Sequence, residues 1–260
     1  MNEVNKTLYI PLYGKSYVSK KGLFLQDKKA EEIWEQEGFA LKGKSKSKWL
    51  AYYMGMRAAV FDDWVRKQLT ATPDAVVLHI GCGMDSRILR VGGALKWYDV
   101  DFADVIAERK RYYTETDSYQ MLAGDLRDGV FLAEIPKAKN AIVVLEGVSM
   151  YVTNEELRAF MARVSTHFDG LVLLTDCYTM LAAKFSKYKN PINDVGVTTV
   201  YGVDNPRVLE GGRLVFGQEH TMTPQTYIDE LQGIEKGIFQ KLYAGKFSQK
   251  LYKVYEYKQS

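Results

Sequence analysis

Residues 75–101, AVVLHIGCGMDSRILRVGGALKWYDVD, decide the fold of this chain. The apolar run 75–80 is too short for a helix and leads into a Gly-Cys-Gly loop, after which a short helical stretch and a second strand ending at Asp101 follow. This order of strand, glycine loop, helix and strand is typical of the first unit of a parallel nucleotide-binding sheet. The stretch therefore predicts an open α/β fold.

The loop and the acid after the second strand predict a ribose site. Gly81 and Gly83 permit a sharp turn and let a ligand approach the backbone, because glycine has no Cβ atom. Asp101 lies at the carboxyl end of the second strand, where an acid can accept hydrogen bonds from both ribose hydroxyls. We therefore expect a ligand that carries a ribose.

The rest of the loop argues against a phosphate on that ligand. A dinucleotide fingerprint has a third glycine, but Ser86 stands at that position, and Asp85 lies where a phosphate would approach. The sequence also lacks the G-x-x-x-x-G-K-[ST] pattern of triphosphate sites. S-adenosylmethionine has a ribose and an adenine, no phosphate, and a cationic sulfonium that tolerates nearby acids. It is the ligand that this loop favours.

Length and composition fit one α/β domain in the 260 residues. The hydrophobic content of 47% and charged content of 26% are ordinary for a globular protein. A formal charge of +3 does not by itself imply a nucleic-acid or membrane partner, and we expect neither. Two cysteines, Cys82 and Cys177, without a recognisable signal peptide or long apolar run, lead us to expect a reduced, cytoplasmic protein.

An arginine interrupts the apolar face of a predicted helix over residues 47–70. Arg57 lies within a stripe that has the i, i+3, i+4, i+7 spacing of an amphipathic helix, so its guanidinium needs an anionic partner. One interpretation is a salt bridge to an internal acid such as Asp62 or Asp63. The other is a fork for the carboxylate of a ligand.

The lysine-rich run 42–48 before this helix predicts a solvated loop.

Four predicted strands are each followed by an acid: Asp101, Asp125, Glu146 and Asp176. The carboxyl ends of parallel strands meet at one edge of an open sheet, where ligands bind. We predict that Asp101 binds the ribose, that Asp125 accepts from the adenine amino group, and that Glu146 lies near the methionyl end. For Asp125 and Asp176, helix capping is an equally good explanation.

A divalent metal held by the same acids is the rival explanation. We expect no metal, because no histidine–acid cluster accompanies them at chelating spacing. Asp99 and Asp101 lie on one strand, and we expect their side chains to point to opposite faces of the sheet.

The remainder of the chain predicts an irregular lid or substrate-binding insertion over 178–222, a helix from Thr223-Pro224 to about residue 231, and a last strand over 249–258. The single domain then divides into four parts: a helical N-terminal cap that contributes to the cofactor site (1–70), the cofactor-binding core (71–177), the insertion (178–222) and a C-terminal helix with strands (223–260).

Five segments together carry a family resemblance: TLYIPLYGKSY (7–17), HIGCGMDSR (79–87), WYDVDFADVI (97–106), GDLRD (124–128) and LEGVSMYVTNEEL (145–157). With them the chain resembles the leucine carboxyl methyltransferase and tetracenomycin-type polyketide O-methyltransferase family, within the class I S-adenosylmethionine-dependent methyltransferases. The last segment is the most specific, because ordinary methyltransferases lack it.

The resemblance implies a Rossmann-like sheet of seven mostly parallel strands, flanked by helices, whose last strand is antiparallel. It also implies a set of cofactor contacts. Lys15 and Arg57 would bind the methionyl carboxylate, and Glu146 would lie near the methionyl amine. Gly81 would let the cofactor approach the backbone, Asp101 would bind the ribose, and Asp125 and Leu126 would contact the adenine. Lysine at position 15 departs from the arginine of many polyketide-type relatives.

The implied reaction is an in-line displacement in which an acceptor oxygen takes the methyl group and S-adenosyl-L-homocysteine leaves. A carboxylate acceptor needs no base, whereas a phenol with a pKa near ~10 gains from one. Tyr151 is the candidate on the acceptor side, and His167 and His220 are weaker ones.

We predict an O-methyltransferase of a small molecule, polyketide-like or another secondary metabolite, acting on a hydroxyl or a carboxyl. Carboxyl methylation of a protein C-terminus and a catalytically silent cofactor-binding protein are the alternatives, and a nicotinamide oxidoreductase is a more distant one. Arg57→Ala and Asp101→Ala are each expected to weaken cofactor binding and to leave the fold intact.

Overall fold

The computed structural model describes residues 8–38, 43–94, 96–186 and 199–260. They contain one seven-stranded sheet in the order β3-β2-β1-β4-β5-β7-β6. Neighbouring strands from β3 to β5 are parallel, and β7 is antiparallel to both β5 and β6. The predicted sheet with a reversed last strand is confirmed. The strands are β1 (Val76–Ile80), β2 (Lys96–Asp101), β3 (Tyr119–Ala123), β4 (Asn140–Leu145), β5 (Gly170–Tyr178), β6 (Leu214–His220) and β7 (Tyr252–Gln259).

Helices cover both faces of the sheet. They are α1 (Tyr9–Lys20), α2 (Lys28–Glu37), α3 (Lys48–Ala71), α4 (Arg87–Val91), α5 (Ala103–Arg109), α6 (Asn154–His167), α7 (Met180–Ser186), α8 (Gln225–Glu230) and α9 (Gly233–Leu242). Short 3-10 helices lie at Gly43–Lys46, Val130–Glu134, Ser149–Tyr151, Pro206–Leu209 and Ser248–Lys250. None of the helices described here has the length and apolar character needed to cross a membrane.

The central strands are buried on both faces, as their continuous apolar sequences indicate. Alternate side chains of β1 enter two different clusters, since successive residues of a strand point to opposite faces. Leu78 packs in the cluster that includes α6, and Val77 packs in the cluster that includes α3. The carboxyl end of β1 is thereby fixed between two layers of helices, and so is the glycine loop that follows it.

The C-terminal third is more regular than its sequence predicts. The supposed irregular stretch 178–222 contains α7 and the edge strand β6, and residues 187–198 of it lie outside the described part. Strand β6 has an apolar alternation only at its start and pairs with β7 alone, so it gives little sequence signal. Helix α9 contains two glycines, which lower helix propensity.

One local expectation also needs adjustment. Of the lysine-rich run, Lys42 lies outside the described residues, and Gly43–Lys46 forms a short 3-10 helix ahead of α3.

Candidate functional site

A cavity of about 730 Å³ opens at the carboxyl ends of β1 and β4. Its floor is formed by the glycine loop after β1 and by residues 146–147 after β4, and its sides are formed by α1, α3, α7 and residues 243–252. Six of the residues predicted from the sequence line this cavity: Lys15, Arg57, Gly81, Gly83, Glu146 and Tyr151.

Arg57 reaches the floor of the cavity from the middle of α3, and only 5% of it is exposed. Its Nε donates to Glu146 Oε1 at 3.0 Å, and its Nη1 donates to Asp176 Oδ2 at 3.3 Å and to Tyr252 Oη at 3.1 Å. Its Nη2 has no hydrogen bond to any residue in the described ranges. Arg57 lines the cavity, and Nη2 is the nitrogen of its guanidinium for which the described residues provide no acceptor.

Arg57 thus forms salt bridges to internal acids, as one of the two interpretations expects, but the suggested partners Asp62 and Asp63 are wrong. Asp62 binds Arg87 and Arg90 instead, and the exposed Asp63 pairs with Arg66. Residue 62 is five positions after residue 57, which turns it about 140° around the helix, so the two side chains leave α3 in different directions.

The segment after β4 explains why Leu145-Glu146-Gly147 is a distinctive motif. Glu146 binds Arg57, and the backbone N–H of Gly147 donates to Asp176 Oδ1 at 2.7 Å. Gly147 has a φ of +72°, and a Cβ there would lie 3.3 Å from Arg57 Nη1. Glycine is favoured at 147 because the backbone passes against the guanidinium in a left-handed conformation.

Arg87 and Arg90 of α4 lie behind this floor, off the cavity wall, and extend its charged network; sequence reasoning did not single them out. Arg87 is fully buried; its Nε donates to Asp62 at 2.7 Å, and its Nη2 contacts Glu146 and lies 3.2 Å from Asp85. Arg90 binds Asp62 and Asp85. The sequence does contain a signal for them. Two arginines three residues apart follow Asp85, and residues i and i+3 share one helix face.

Lys15 belongs to the same network. Its Nζ lies 2.9 Å from Asp85 Oδ2, and only 3% of Lys15 is exposed. Gly14, the residue before it, packs against α3, where a Cβ would lie 2.7 Å from Met54 Cβ. The close contact between α1 and α3 brings Lys15 to the cavity from one side and Arg57 from the other.

With all of its acids ionised, the network carries one more negative than positive charge, although burial raises the pKa of one of these acids, Asp176. Its cations are Lys15, Arg57, Arg87 and Arg90, and its acids are Asp27, Asp62, Asp85, Glu146 and Asp176. All nine side chains are buried or nearly so. Burying an uncompensated charge is costly, so a ligand with a net charge of +1 would complete the balance of this site.

The ionisation of the two acids on the cavity wall is set by their neighbours. Burial alone would raise the pKa of the Glu146 carboxyl, but the guanidinium groups of Arg57 and Arg87 outweigh it and lower that pKa to about 2. Burial is likewise outweighed at Asp85, whose pKa is held well below its ordinary value by Arg90, Lys15 and Arg87. Both carboxylates are anions at neutral pH.

Asp101 lies at the predicted tip of β2. Its Oδ2 accepts from the Gly83 N–H and its Oδ1 from the Phe102 N–H, each at 2.8 Å. Burial raises the pKa of this carboxyl to about 6 despite these bonds. Asp101 is not on the cavity wall itself, but its partner Gly83 is. The carboxylate therefore stands behind the loop that a ligand would contact.

The expectation that Asp99 and Asp101 point to opposite faces is wrong, because residues two apart on a strand share a face. Arg109 binds Asp99 and also donates to the Gly83 carbonyl at 2.9 Å, beside Asp101. Asp99 thus has a cationic partner of its own.

Within the described ranges, no group of three or more His, Cys, Asp or Glu side chains is placed to hold a metal ion.

Asp125 and Leu126 lie after β3, and neither is on the cavity wall. Asp125 accepts from Arg127 Nε at 2.8 Å. Leu126 packs in the core, and its carbonyl accepts from Arg163 Nη2 at 2.7 Å. Their assignment to an adenine stays a prediction.

The upper walls of the cavity are mainly aromatic and aliphatic. The side chains there include Leu50, Tyr53, Met54, Met150, Tyr151, Tyr178, Phe185, Tyr243 and Tyr252. Burial raises the pKa of the Tyr53 and Tyr252 hydroxyls, so both are protonated at neutral pH. These walls suit a flat, apolar molecule with few polar groups.

The histidines do not supply a base to these walls. His220 pairs with Glu256 between β6 and β7, and His167 contacts the Ile135 carbonyl; neither lines the cavity. His79 does line it, but its pKa is lowered by burial, and its Nε2 lies 3.1 Å from the Arg87 guanidinium. An acceptor in this cavity would therefore meet no strong base among the described residues.

Comparisons with known proteins find relatives of this chain by sequence. The model of a family described as leucine carboxyl methyltransferase matches residues 5–165. The tetracenomycin polyketide synthesis O-methyltransferase TcmP of Streptomyces glaucescens is 33% identical over 186 residues, which cover 70% of this chain and 69% of that protein. An S-adenosyl-L-methionine-dependent methyltransferase of Gibberella zeae, dpfgK, is 28% identical over 186 residues, or 64% and 61% of the two chains.

Solved structures share the fold at low sequence identity. Magnesium protoporphyrin IX methyltransferase from Synechocystis PCC 6803 has a TM-score of 0.54 and 14% identity, over 95% of this chain and all of that one. The N-methyltransferase NodS from Bradyrhizobium japonicum has a TM-score of 0.52 and 11% identity, over 80% and 87% of the two chains.

Proposed function

The chain belongs to the leucine carboxyl methyltransferase family, and we propose that this S-adenosylmethionine-dependent methyltransferase methylates an oxygen of a small, polyketide-like acceptor. The observation that carries the proposal is the cavity of about 730 Å³ at the sheet edge, with a charged floor and aromatic upper walls. A charged floor suits the amino-acid end of the cofactor, and the aromatic walls suit an apolar acceptor.

The residues of the floor fit S-adenosyl-L-methionine. This cofactor has an ammonium, a sulfonium and a carboxylate, and its net charge of +1 balances the excess acid of the network. We assign Lys15 and Arg57 Nη2 to its carboxylate, Glu146 to its ammonium and Asp101 to its ribose hydroxyls. Gly81 and Gly83 lie along the loop that it would contact, and Asp125 and Leu126 are assigned to the adenine.

The bound cofactor supplies an electrophilic methyl group, and the chain's own residues then determine which acceptor can react. Glu146 and Asp85 are poor bases, since their carboxyl pKa values are lowered by the neighbouring cations. Tyr53 and Tyr252 keep their protons because burial raises their pKa values. The acceptor must therefore arrive already ionised, which favours a carboxylate or an acidic phenol. Tyr151 is assigned to the wall beside the acceptor.

A small acceptor is favoured over a protein C-terminus by the walls of the cavity. Tyr178, Phe185 and Tyr243 are among the aromatic residues that line it, which suits a fused-ring molecule. The relationship to TcmP, a polyketide O-methyltransferase by name, supports the same class of acceptor.

Transfer of tritium from methyl-labelled S-adenosylmethionine tests this proposal. The chain is incubated with a metabolite extract and, separately, with the protein fraction of the same cells. Label in the metabolite fraction is expected. Alkali then distinguishes the products, because a methyl ester releases labelled methanol and a methyl ether does not. Label in protein alone would favour C-terminal carboxyl methylation, and no transfer to either fraction would favour a silent binding protein.

The Asp101 assignment predicts a pH dependence of cofactor binding. Burial raises the pKa of this carboxyl to about 6, so it is an anion above that pH and becomes protonated below it. If the carboxylate binds the ribose, the affinity for S-adenosylhomocysteine should be flat above pH ~7 and fall up to ~10-fold per pH unit below ~6.

Calorimetric titrations of wild type and Asp101→Asn over this pH range measure the effect. The variant should bind at least ~10-fold more weakly at pH ~7 and lose the dependence near pH ~6. Asp117→Asn, at an exposed position before β3, is the matched control and should behave as wild type. An Asp101→Asn variant with normal affinity would refute the assignment.

A further inference from the structure

Helix α9 carries an aliphatic stripe that no part of the described chain covers. Ile234, Ile238 and Leu242 are four residues apart, so they lie on one face of the helix, and their exposed fractions are 82%, 37% and 62%. Phe239 lies on another side and is fully buried against α3. Phe247, just after the helix, is 61% exposed and extends the apolar surface.

The segment that carries this stripe is basic, and one of its lysines, Lys236, pairs with Asp229 of the neighbouring helix α8. Residues 233–250 contain four lysines and one glutamate, a net charge of +3 that equals the formal charge of the whole chain. Their glutamate, Glu235, is bound by Lys48 and by the Tyr52 hydroxyl. Lys241, Lys246 and Lys250 are exposed, and none of the three forms a salt bridge with an acid of the described ranges.

The stripe is followed in the chain by residues that line the cavity. Tyr243 and Ser248, which line the cavity, directly follow Leu242 and Phe247 in the chain. On α7, Phe185 lines the cavity while 51% of it remains exposed, and the neighbouring Lys184 is exposed. Exposed apolar groups and lysines are therefore present on two of the segments that border the cavity.

We propose that α9 and residues 243–250 dock this protein on an anionic lipid surface. An aliphatic stripe flanked by lysines is the pattern of a helix that lies in a membrane interface. Its apolar side chains enter the boundary between headgroups and acyl chains, and its lysines extend their stems to reach anionic headgroups. In this orientation the cavity mouth faces the lipid, from which an apolar molecule can enter directly.

A protein partner fits this surface less well. Protein interfaces are enriched in arginine and depleted in lysine, whereas this surface has lysine alone, and the chain has no arginine after Arg213. A second copy of the chain would bring the lysines of both copies together. The charge and the residue types thus favour lipid over both.

Sedimentation with sucrose-loaded vesicles tests the proposal with the full chain. One set of vesicles is phosphatidylcholine alone, and the other contains equal parts of phosphatidylcholine and phosphatidylglycerol. We expect binding to the anionic set that weakens with added salt, and at most slight binding to the neutral set. The triple change Lys241→Gln, Lys246→Gln, Lys250→Gln should weaken binding by about 100-fold, at roughly fivefold for each lysine.

Two further variants make the result specific. The triple change Ile234→Ser, Ile238→Ser, Leu242→Ser should also weaken binding to the anionic vesicles, by at least ~10-fold, because the apolar area is lost. Lys67→Gln with Lys137→Gln and Lys139→Gln removes the same charge from exposed positions at the opposite edge of the sheet and should bind as wild type. Unchanged S-adenosylhomocysteine affinity in all variants shows that their site is intact.

Three outcomes would overturn the proposal: no binding to anionic vesicles, equal binding by wild type and the α9 lysine variant, or a dimer in sedimentation velocity that the serine variant disperses. The last would identify the stripe as an interface between copies. Each outcome leaves the proposed methyl transfer untouched, because cofactor binding is measured separately in the same samples.

Discussion

Arg57→Ala is expected to weaken S-adenosylhomocysteine binding by ~100-fold or more and to lower the free energy of unfolding by about 3–5 kcal/mol. The loss of affinity follows from the assignment of Nη2 to the cofactor carboxylate. The loss of stability follows from Glu146 and Asp176, which lie 3.0 and 3.3 Å from the guanidinium and would be left buried without it. Sequence reasoning alone expects an intact fold, because it does not reveal these two acids as partners.

Calorimetry measures the affinity, and urea unfolding with and without ligand measures the stability. Arg66→Ala is the matched control: it lies on the same helix, is exposed, and pairs with Asp63 at 2.9 Å. It should change stability by no more than ~0.5 kcal/mol and leave binding unchanged. Arg57→Lys keeps the charge but lacks the planar fork, so it should recover part of the stability and little of the affinity. Normal affinity in Arg57→Ala would contradict the carboxylate assignment.

The sheet and the position of the site could be predicted because both depend on local sequence patterns. Strands β1 and β4 are continuous apolar runs, which indicates burial on both faces and hence a parallel core. The acid or glycine after each run then marks the carboxyl edge, where ligands bind. Arg57 could be identified in the same way, since a charge within an apolar helical stripe is a local anomaly.

The partners of that charge could not be predicted, because they are distant in sequence. Asp176 is 119 residues and Tyr252 is 195 residues from Arg57, and only the pairing of β5 with β7 brings them together. Sequence proximity instead suggested Asp62, which faces the other way on α3. A pattern can therefore show that a buried cation needs an anion, whereas the folded sheet determines which anion it meets.

Arg87→Met is the second variant with a large expected effect, and the effect should be mainly on stability. Arg87 is fully buried and contacts Asp62, Asp85 and Glu146, so its removal leaves three acids with too few cations. We expect a loss of about 3–5 kcal/mol at neutral pH. Arg87 does not line the cavity, so the affinity for S-adenosylhomocysteine should fall less than in Arg57→Ala.

The pH dependence of this loss distinguishes a charge effect from a packing effect. In the wild type, Arg57 and Arg87 lower the Glu146 pKa to about 2. A lowered carboxyl pKa contributes stability that is complete above the unfolded value near ~4.3 and disappears as the pH falls through the folded value. The difference between wild type and Arg87→Met should therefore be full above pH ~5 and shrink towards pH ~3.

Urea unfolding at both ends of that range tests this. Arg111→Met removes an exposed guanidinium that pairs with Glu37 and Glu108, and should change stability little at either pH. If Arg87→Met lost the same free energy at both pH values, packing would be the cause. The charged floor would then contribute little to the stability of the fold. Its additional negative charge would also give no reason for the site to select a cationic ligand.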